Sequence, residues 1–216
     1  MMLAWVEQQR LQIKPADSIT WVNQINVFDC DHQRQDIAQR RGYERTEEFS
    51  YYGKRDLSAS IPLTTLPKGY LIRSISDLKD IEQRAALHEI AAGGSRITPA
   101  QYQTMMAQAL TYRQDLDLVV AAPAGQIVAF CTAWFDARNE VGVFEPLGCH
   151  PNYRRRGLTK NLLYEGMLRL KQLGATTVFV SHGGLTSEEE TDPALELNAS
   201  VDFHMIGRNY QWQKQL

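Results

Sequence analysis

Apolar residues along this chain change their period several times, and each change marks an element. Tyr70-Leu71-Ile72-Arg73 is a short apolar run that predicts a strand. Leu78, Ile81 and Ala85 then recur at helical spacing, with Ser76 as the expected cap. A second helix is marked by Thr98-Pro99-Ala100-Gln101, which offers a cap, a proline at the first helical position and a reciprocal glutamine. Its apolar face is Tyr102, Met105, Met106 and Ala109. Two apolar runs, Leu116 to Ala122 and Gln126 to Phe135, flank the turn residues Pro123-Ala124-Gly125 and predict a hairpin. Val141 to Cys149 adds a third strand, so an antiparallel meander is expected. Leu158, Leu162, Leu163, Met167 and Leu170 then return to helical spacing until Gly174 ends the pattern. Thr177 to Ser181 is a short β-branched run, and a strand reached through one helix is most simply a parallel neighbour. A short helix from Pro193 to Ser200 and two short strands, Phe203 to Ile206 and Tyr210 to Gln213, complete the expectation.

Ahead of Tyr70 the pattern is simpler. Leu3 to Leu11 reads as the tail of a helix, Ile19 to Phe28 as a strand, Gln33 to Arg40 as a helix and Glu44 to Tyr52 as a strand. Residues 58–69 hold two prolines and a glycine without any period, and read as a linker. Three regions follow: 1–57, the linker 58–69, and 70–216.

At 216 residues and 44% hydrophobic, the chain has the apolar mass for one large or two small domains. Its 23 Lys and Arg nearly balance 25 Asp and Glu, so no global basic field recruits nucleic acid or an anionic membrane. No apolar run approaches the roughly 20 residues that span a bilayer, and the first residues turn polar before a signal-peptide core develops. A cytoplasmic protein is expected. Cys30, Cys131 and Cys149 are three in number and lack C-x-x-C spacing, so neither a disulfide framework nor a metal site is expected. The Glu188-Glu189-Glu190 run reads as a solvated loop.

Chemistry concentrates where the third strand meets the long helix: Glu145-Pro146-Leu147-Gly148-Cys149-His150-Pro151-Asn152-Tyr153-Arg154-Arg155-Arg156-Gly157-Leu158-Thr159-Lys160. A glycine there permits a tight turn, and the helix that follows points free amides back at the loop. Such a junction binds phosphate oxygens. Arg154, Arg155, Arg156 and Lys160 add positive charge on the same turn. The segment lacks the Gly-Lys-Ser/Thr ending of a Walker A loop and the glycine spacing of a dinucleotide fold.

Arg154-Arg155-Arg156-Gly157-Leu158-Thr159 resembles the Gln/Arg-x-x-Gly-x-Gly/Ala signature of the GNAT superfamily of N-acetyltransferases, with Thr159 departing from the last position. The resemblance covers about residues 70 to 216. It implies an α/β (α+β) fold with a GNAT-like mixed central sheet flanked by helices, and transfer of acetyl from acetyl-CoA to a primary amine of a small molecule. In such folds the strand before the loop splays from its parallel neighbour, and Leu147, Gly148 and Cys149 would pair with the pantetheine arm. The amides of Arg155, Arg156, Gly157, Leu158, Thr159 and Lys160 would hold the pyrophosphate, with Arg154 at the rim. Pro146 has no N–H and predicts an interrupted ladder where the splaying begins. Glu145, the acid on this strand, is the candidate general base, and His150 is the competing one. Trp134, Phe135 and Asp136 read as packing at the end of the preceding strand, where an acceptor site would also fall.

The family's late tyrosine is replaced. Ala194-Leu195-Glu196-Leu197-Asn198 matches its Ala-x-x-Leu-Tyr pattern, so Asn198 stands beside the cofactor where a proton donor is usual, and Asp202 stands where glycine is usual. Asparagine does not protonate a leaving thiolate, which leaves water or Ser200. A catalytically silent acyl-CoA-binding or regulatory module is therefore the alternative to an enzyme. Ala38-Gln39-Arg40-Arg41-Gly42-Tyr43 resembles the same helix-to-strand junction, so residues 1–57 are expected to be the C-terminal part of a GNAT-like half-module. Such a half-module leaves a strand edge that calls for a partner: a second copy in a homodimer, the second module, or a missing upstream half.

Overall fold

The computed structural model describes residues 5, 7–9, 22–91, 97–183 and 192–215. The Glu188 to Glu190 run, most of the helix expected from Leu3, and residues 19–21 of the first expected strand lie outside them. The elements in order are β1 (Val22–Phe28), α1 (His32–Arg40), β2 (Glu44–Asp56), β3 (Leu71–Ser74), α2 (Leu78–Ala91), α3 (Pro99–Gln108), β4 (Asp117–Ala121) and β5 (Ile127–Asp136). They continue with β6 (Val141–Cys149), α4 (Leu158–Gln172), β7 (Thr177–Gly183), α5 (Pro193–Ser200) and β8 (His204–Gln215).

These elements divide into two compact units. One comprises Met1–Tyr52, His182–Asp192 and Ile206–Leu216, and the other Gly53–Ser181 and Pro193–Met205. In the first unit β1 runs antiparallel to β8, with Val22 opposite Gln215 and Phe28 opposite Asn209. Its core is Val27, Ala38, Tyr43 and Trp212. β8 is a single strand of 12 residues where the sequence predicts two short ones. Gly207 and Arg208 break the apolar pattern without breaking the strand, because strand pairing uses the main chain and not the side chains.

The second unit has a mixed sheet flanked by helices. β3, β4, β5 and β6 form an antiparallel meander, and β6 pairs in parallel with β7 after the α4 crossover. The two faces separate by period-2 alternation. Leu118, Val120 and Cys131 join Leu158, Leu162, Leu163, Met167 and Leu170 of α4 in one cluster, while Val119 and Phe130 join Leu87 and Tyr102 of α2 and α3 in another. Each fully buried leucine on α4 contributes about 1.5–3 kcal/mol, so this helix is the best-anchored element beside the site.

Residues 58–69 form neither helix nor strand, yet they are held down. Ile61 and Leu66 pack on the α4 core, and Asn161 clamps Thr65 through its amide oxygen (2.7 Å from the Thr65 N–H) and nitrogen (3.3 Å to the Thr65 carbonyl).

The capping box at α3 is present in full, with Thr98 accepting from the Gln101 N–H and Gln101 accepting from the Thr98 N–H. At α2 the cap is Asp77, whose carboxylate accepts the Asp80 N–H at 2.9 Å, and not Ser76. Ser76 instead donates to Asp80 at 2.8 Å. Of the face expected on α2, Ala85 is buried and Ile81 packs on the core, whereas Leu78 is exposed and Asp80, Arg84 and Leu87 are buried in addition. Asp80 is neutralised in place by a bidentate pair with Arg73, which holds its carboxyl well below the usual carboxylate range. That local pairing lets a charge occupy a face that hydrophobicity assigns elsewhere.

Candidate functional site

β6 changes its pairing halfway along. Val141 to Phe144 pair in parallel with Thr177 to Val180 of β7, and the register ends there. On the other side β6 pairs with β5 from Val141 to Cys149, with a register shift between Cys131 and Ala133 that falls opposite Glu145 and Pro146. Glu145, Pro146, Leu147, Gly148 and Cys149 thus keep β5 as a neighbour and leave β7. The ladder is interrupted at the proline, as its missing N–H predicts. Gly148 sits opposite Phe130, whose ring occupies the space a Cβ at that position would fill.

Beyond Cys149 a short 3-10 turn, Pro151–Tyr153, leads into the loop. His150 caps this turn, its Nδ1 accepting the Asn152 N–H at 3.2 Å. That contact ties the imidazole to the backbone of the turn. Arg155 and Gly157 both adopt left-handed backbone, with φ of 61° and 73°. Gly157 is the N-cap of α4 and no side chain caps the helix, so the amides of its first turn keep their donors. Only glycine adopts this conformation without steric cost.

The cations expected on the loop are distributed around it. Arg156 donates to the Tyr70 hydroxyl (3.0 Å) and the Asn152 carbonyl (3.1 Å) and lies over the Tyr153 ring. Arg155 pairs with Glu196 of α5 at 3.2 Å, and Lys160 donates to the Ser200 carbonyl at 2.9 Å. Thr159, the departure from the family signature, turns its hydroxyl to the Cys149 thiol, and burial pushes that thiol up. Asn161, outside the expected site residues, also holds the loop. Its amide donates to the Gly157 carbonyl at 2.9 Å, which fixes the loop from one turn inside the helix. A polar residue between Leu158 and Leu162 on an otherwise apolar face was the available signal.

On the α2 and α3 side of β6 lies a cavity of about 1100 Å³. Glu145 lines it and is exposed, together with Trp134, Val143 and Pro146. Trp134 donates its indole N–H to the Glu145 carbonyl at 2.5 Å, so the residue read as packing braces the candidate base. Met105, expected on the apolar face of α3, is 53% exposed and forms a wall of this cavity. Arg84 and His88 of α2 also line it. Burial, with the Arg84 charge, holds His88 below the usual imidazole range, so it is neutral at pH 7.

Asn198 is buried on α5, and its carbonyl accepts the Phe203 N–H at 3.0 Å where the helix ends. The Ser200 hydroxyl donates back to the Leu197 carbonyl at 2.8 Å, which commits its proton. Among the described residues no three His, Cys, Asp or Glu side chains gather as a metal site, and no helix is long and apolar enough to cross a membrane.

Residues 81–194 match the model of the acetyltransferase (GNAT) family. Among curated proteins no sequence matches this one. Of solved structures, a GCN5-related N-acetyltransferase from Sphaerobacter thermophilus is similar over 99% of this chain at 20% identity, with a TM-score of 0.78. A tandem GNAT protein from the clavulanic acid biosynthesis pathway is similar over 97% at 16% identity, with a TM-score of 0.71. The present chain spans 66% of the length of each of these two. A GCN5-related N-acetyltransferase from Kribbella flavida is similar over 98% of this chain and 75% of its own at 12% identity, with a TM-score of 0.61.

Proposed function

Since the chain belongs to the GNAT acetyltransferase family, whose model matches more than half of it, we propose that it moves an acetyl group from acetyl-CoA to a primary amine of a small molecule. The observation that carries this reading is the parting of β6 from β7 after Phe144, immediately ahead of a loop whose helix begins at an uncapped glycine. An open strand edge suits the amide-bearing pantetheine arm, and an uncapped helix start ringed by Arg154, Arg155, Arg156 and Lys160 suits a pyrophosphate. Leu147, Gly148 and Cys149 supply the edge, and the amides of Arg155 to Lys160 supply the phosphate donors. Bound there, acetyl-CoA brings an activated thioester to the mouth of the cavity that Glu145 lines.

An ammonium must lose its proton before it attacks a thioester. Glu145 takes that proton, directly or through water, from an amine held in the cavity. Fixed backbone amides near Leu147 steady the charge that develops on the carbonyl oxygen. Asn198 contacts the cofactor end without donating a proton, so the departing thiolate is protonated by water. We place the transferase in residues 70–216 and read residues 1–57, joined by 58–69, as the C-terminal part of a GNAT-like module. The whole acts in the cytoplasm.

A silent acyl-CoA-binding module is favoured by one observation, the inward-bonded Ser200 hydroxyl beside Asn198, which commits to the backbone the one hydroxyl that α5 offers the thiolate. The two readings separate in a thiol-release assay with acetyl-CoA across a panel of primary amines. Amine-dependent release that Glu145→Gln depresses supports transfer. Cofactor binding without release from any amine supports the silent module.

A further inference from the structure

Acetyl transfer makes no use of a buried charge that lines the cavity, the guanidinium of Arg84. Its side chain is fully buried, and Nε, Nη1 and Nη2 all lack a hydrogen-bond partner among the described residues. Its neighbours are aromatic faces: the guanidinium carbon lies 3.4 Å from the centroid of Phe130 and 5.4 Å from that of Tyr102. Asp117 acts on Arg84 through its charge but is fully engaged elsewhere, accepting from the hydroxyls of Tyr102, Tyr112 (3.0 Å) and Thr132 (3.1 Å). Arginine stays protonated even when burial pulls its pKa down. A buried positive fork with no acceptor is expensive to maintain, and such groups persist where a ligand completes them.

The surroundings narrow the ligand. A guanidinium presents parallel N–H donors that match a carboxylate. The nearby charge of Asp117 and the neutral imidazole of His88 leave too little positive potential for a dianionic phosphate, so a monoanion fits better. Much of the remaining wall, Ile97, Met105, Met106, Trp134, Val143 and Pro146, is apolar and bulky, with Gln101, Thr104 and Thr111 as neutral polar residues among it. Glu145 lines the same cavity and suits a cationic amine. We propose that the acceptor is an aminocarboxylate with a sizeable apolar body, its carboxylate held by Arg84 and its amine presented to Glu145. This deepens the acetyltransferase reading and rests on it for the position of the amine.

Matched pairs that differ only in the carboxylate test it on the full chain: phenylalanine against 2-phenylethylamine as acceptors, and N-acetylphenylalanine against N-acetyl-2-phenylethylamine as binding probes. The expected result is a kcat/KM at least tenfold higher for phenylalanine, and a tenfold tighter Kd for the acetylated amino acid. Arg84→Met brings both ratios to about one while acetyl-CoA affinity stays unchanged, and Arg84→Lys, which keeps the charge without the fork, gives an intermediate ratio. Equal behaviour within each pair, ratios that persist in Arg84→Met, or failure of both binding probes overturns the proposal. Should Arg84→Met not fold, the pairs on the unaltered protein together with Arg84→Lys decide it. Absence of thiol release with acetyl-CoA bound would count against transfer alone, because the binding probes still report on Arg84.

Discussion

The two ends of β6 belong to the same strand and face different tasks. From Val141 to Phe144 the strand is paired on both sides, and Phe144 is buried at 1% exposure. Glu145 and Pro146 fall in the break of the ladder, Leu147 to Cys149 are paired with β5 alone among the described residues, and Glu145 is exposed at the cavity. The difference teaches how a sheet makes a site: the ladder that fixes one end lends its rigidity to the other, which is left with free backbone groups and an exposed acid. Function is then expected to fail at one end without loss of the fold, and the fold to fail at the other.

The largest effect is expected from Phe144→Ala, which leaves a cavity in the core and should cost about 3–5 kcal/mol of stability, read by denaturant unfolding. Glu145→Gln, one residue on, should leave the unfolding midpoint unchanged and lower turnover about a hundredfold with acetyl-CoA affinity intact. A variant that loses stability there would erase the contrast. Asp80→Asn checks that the framework on the cavity side depends on a charge pair, and should cost about 2 kcal/mol at pH 7. Because Arg73 and Ser76 depress the Asp80 pKa in the folded state, its contribution is complete above about pH 4 and is lost as the pH falls below that. The acid limb of the stability curve should flatten in Asp80→Asn. The smallest effect is expected from Arg155→Ala, whose pair with Glu196 is solvent-exposed on both sides and should be worth under about 0.5 kcal/mol.

Much of this was legible in the residues. The capping box at Thr98, the stop at Gly174, the proline break in β6 and the strand-to-helix loop at Gly157 each rest on local backbone chemistry, which a single stretch of sequence carries. Even the likeness between the two helix-to-strand junctions has a backbone counterpart. Tyr43 N–H bonds the Ala38 carbonyl at 3.0 Å as Phe203 N–H bonds that of Asn198 at 3.0 Å, with left-handed Gly42 and Asp202 in between. Of the cavity beside β6, only the place of Trp134 was legible. Arg84 looks like a surface cation on an amphipathic helix, and only the packing of Phe130 and Tyr102 around it turns it inward. Met105 likewise carries the period of a core residue and serves as a cavity wall. Nor does sequence order reveal that residues 206–216 gather with the first 52 into one unit, because that grouping is a long-range pairing of β8 with β1.

The central claim is that the loop at Gly157 and the open edge of β6 hold acetyl-CoA. Calorimetric titration of the purified chain with acetyl-CoA tests it most directly, repeated on the Arg156→Ala, Gly157→Val double variant, in which a β-branched side chain opposes the left-handed backbone. Micromolar binding, about −8 kcal/mol, that the double variant abolishes is the predicted result. No binding by the unaltered chain, or equal binding by both proteins, would contradict the claim.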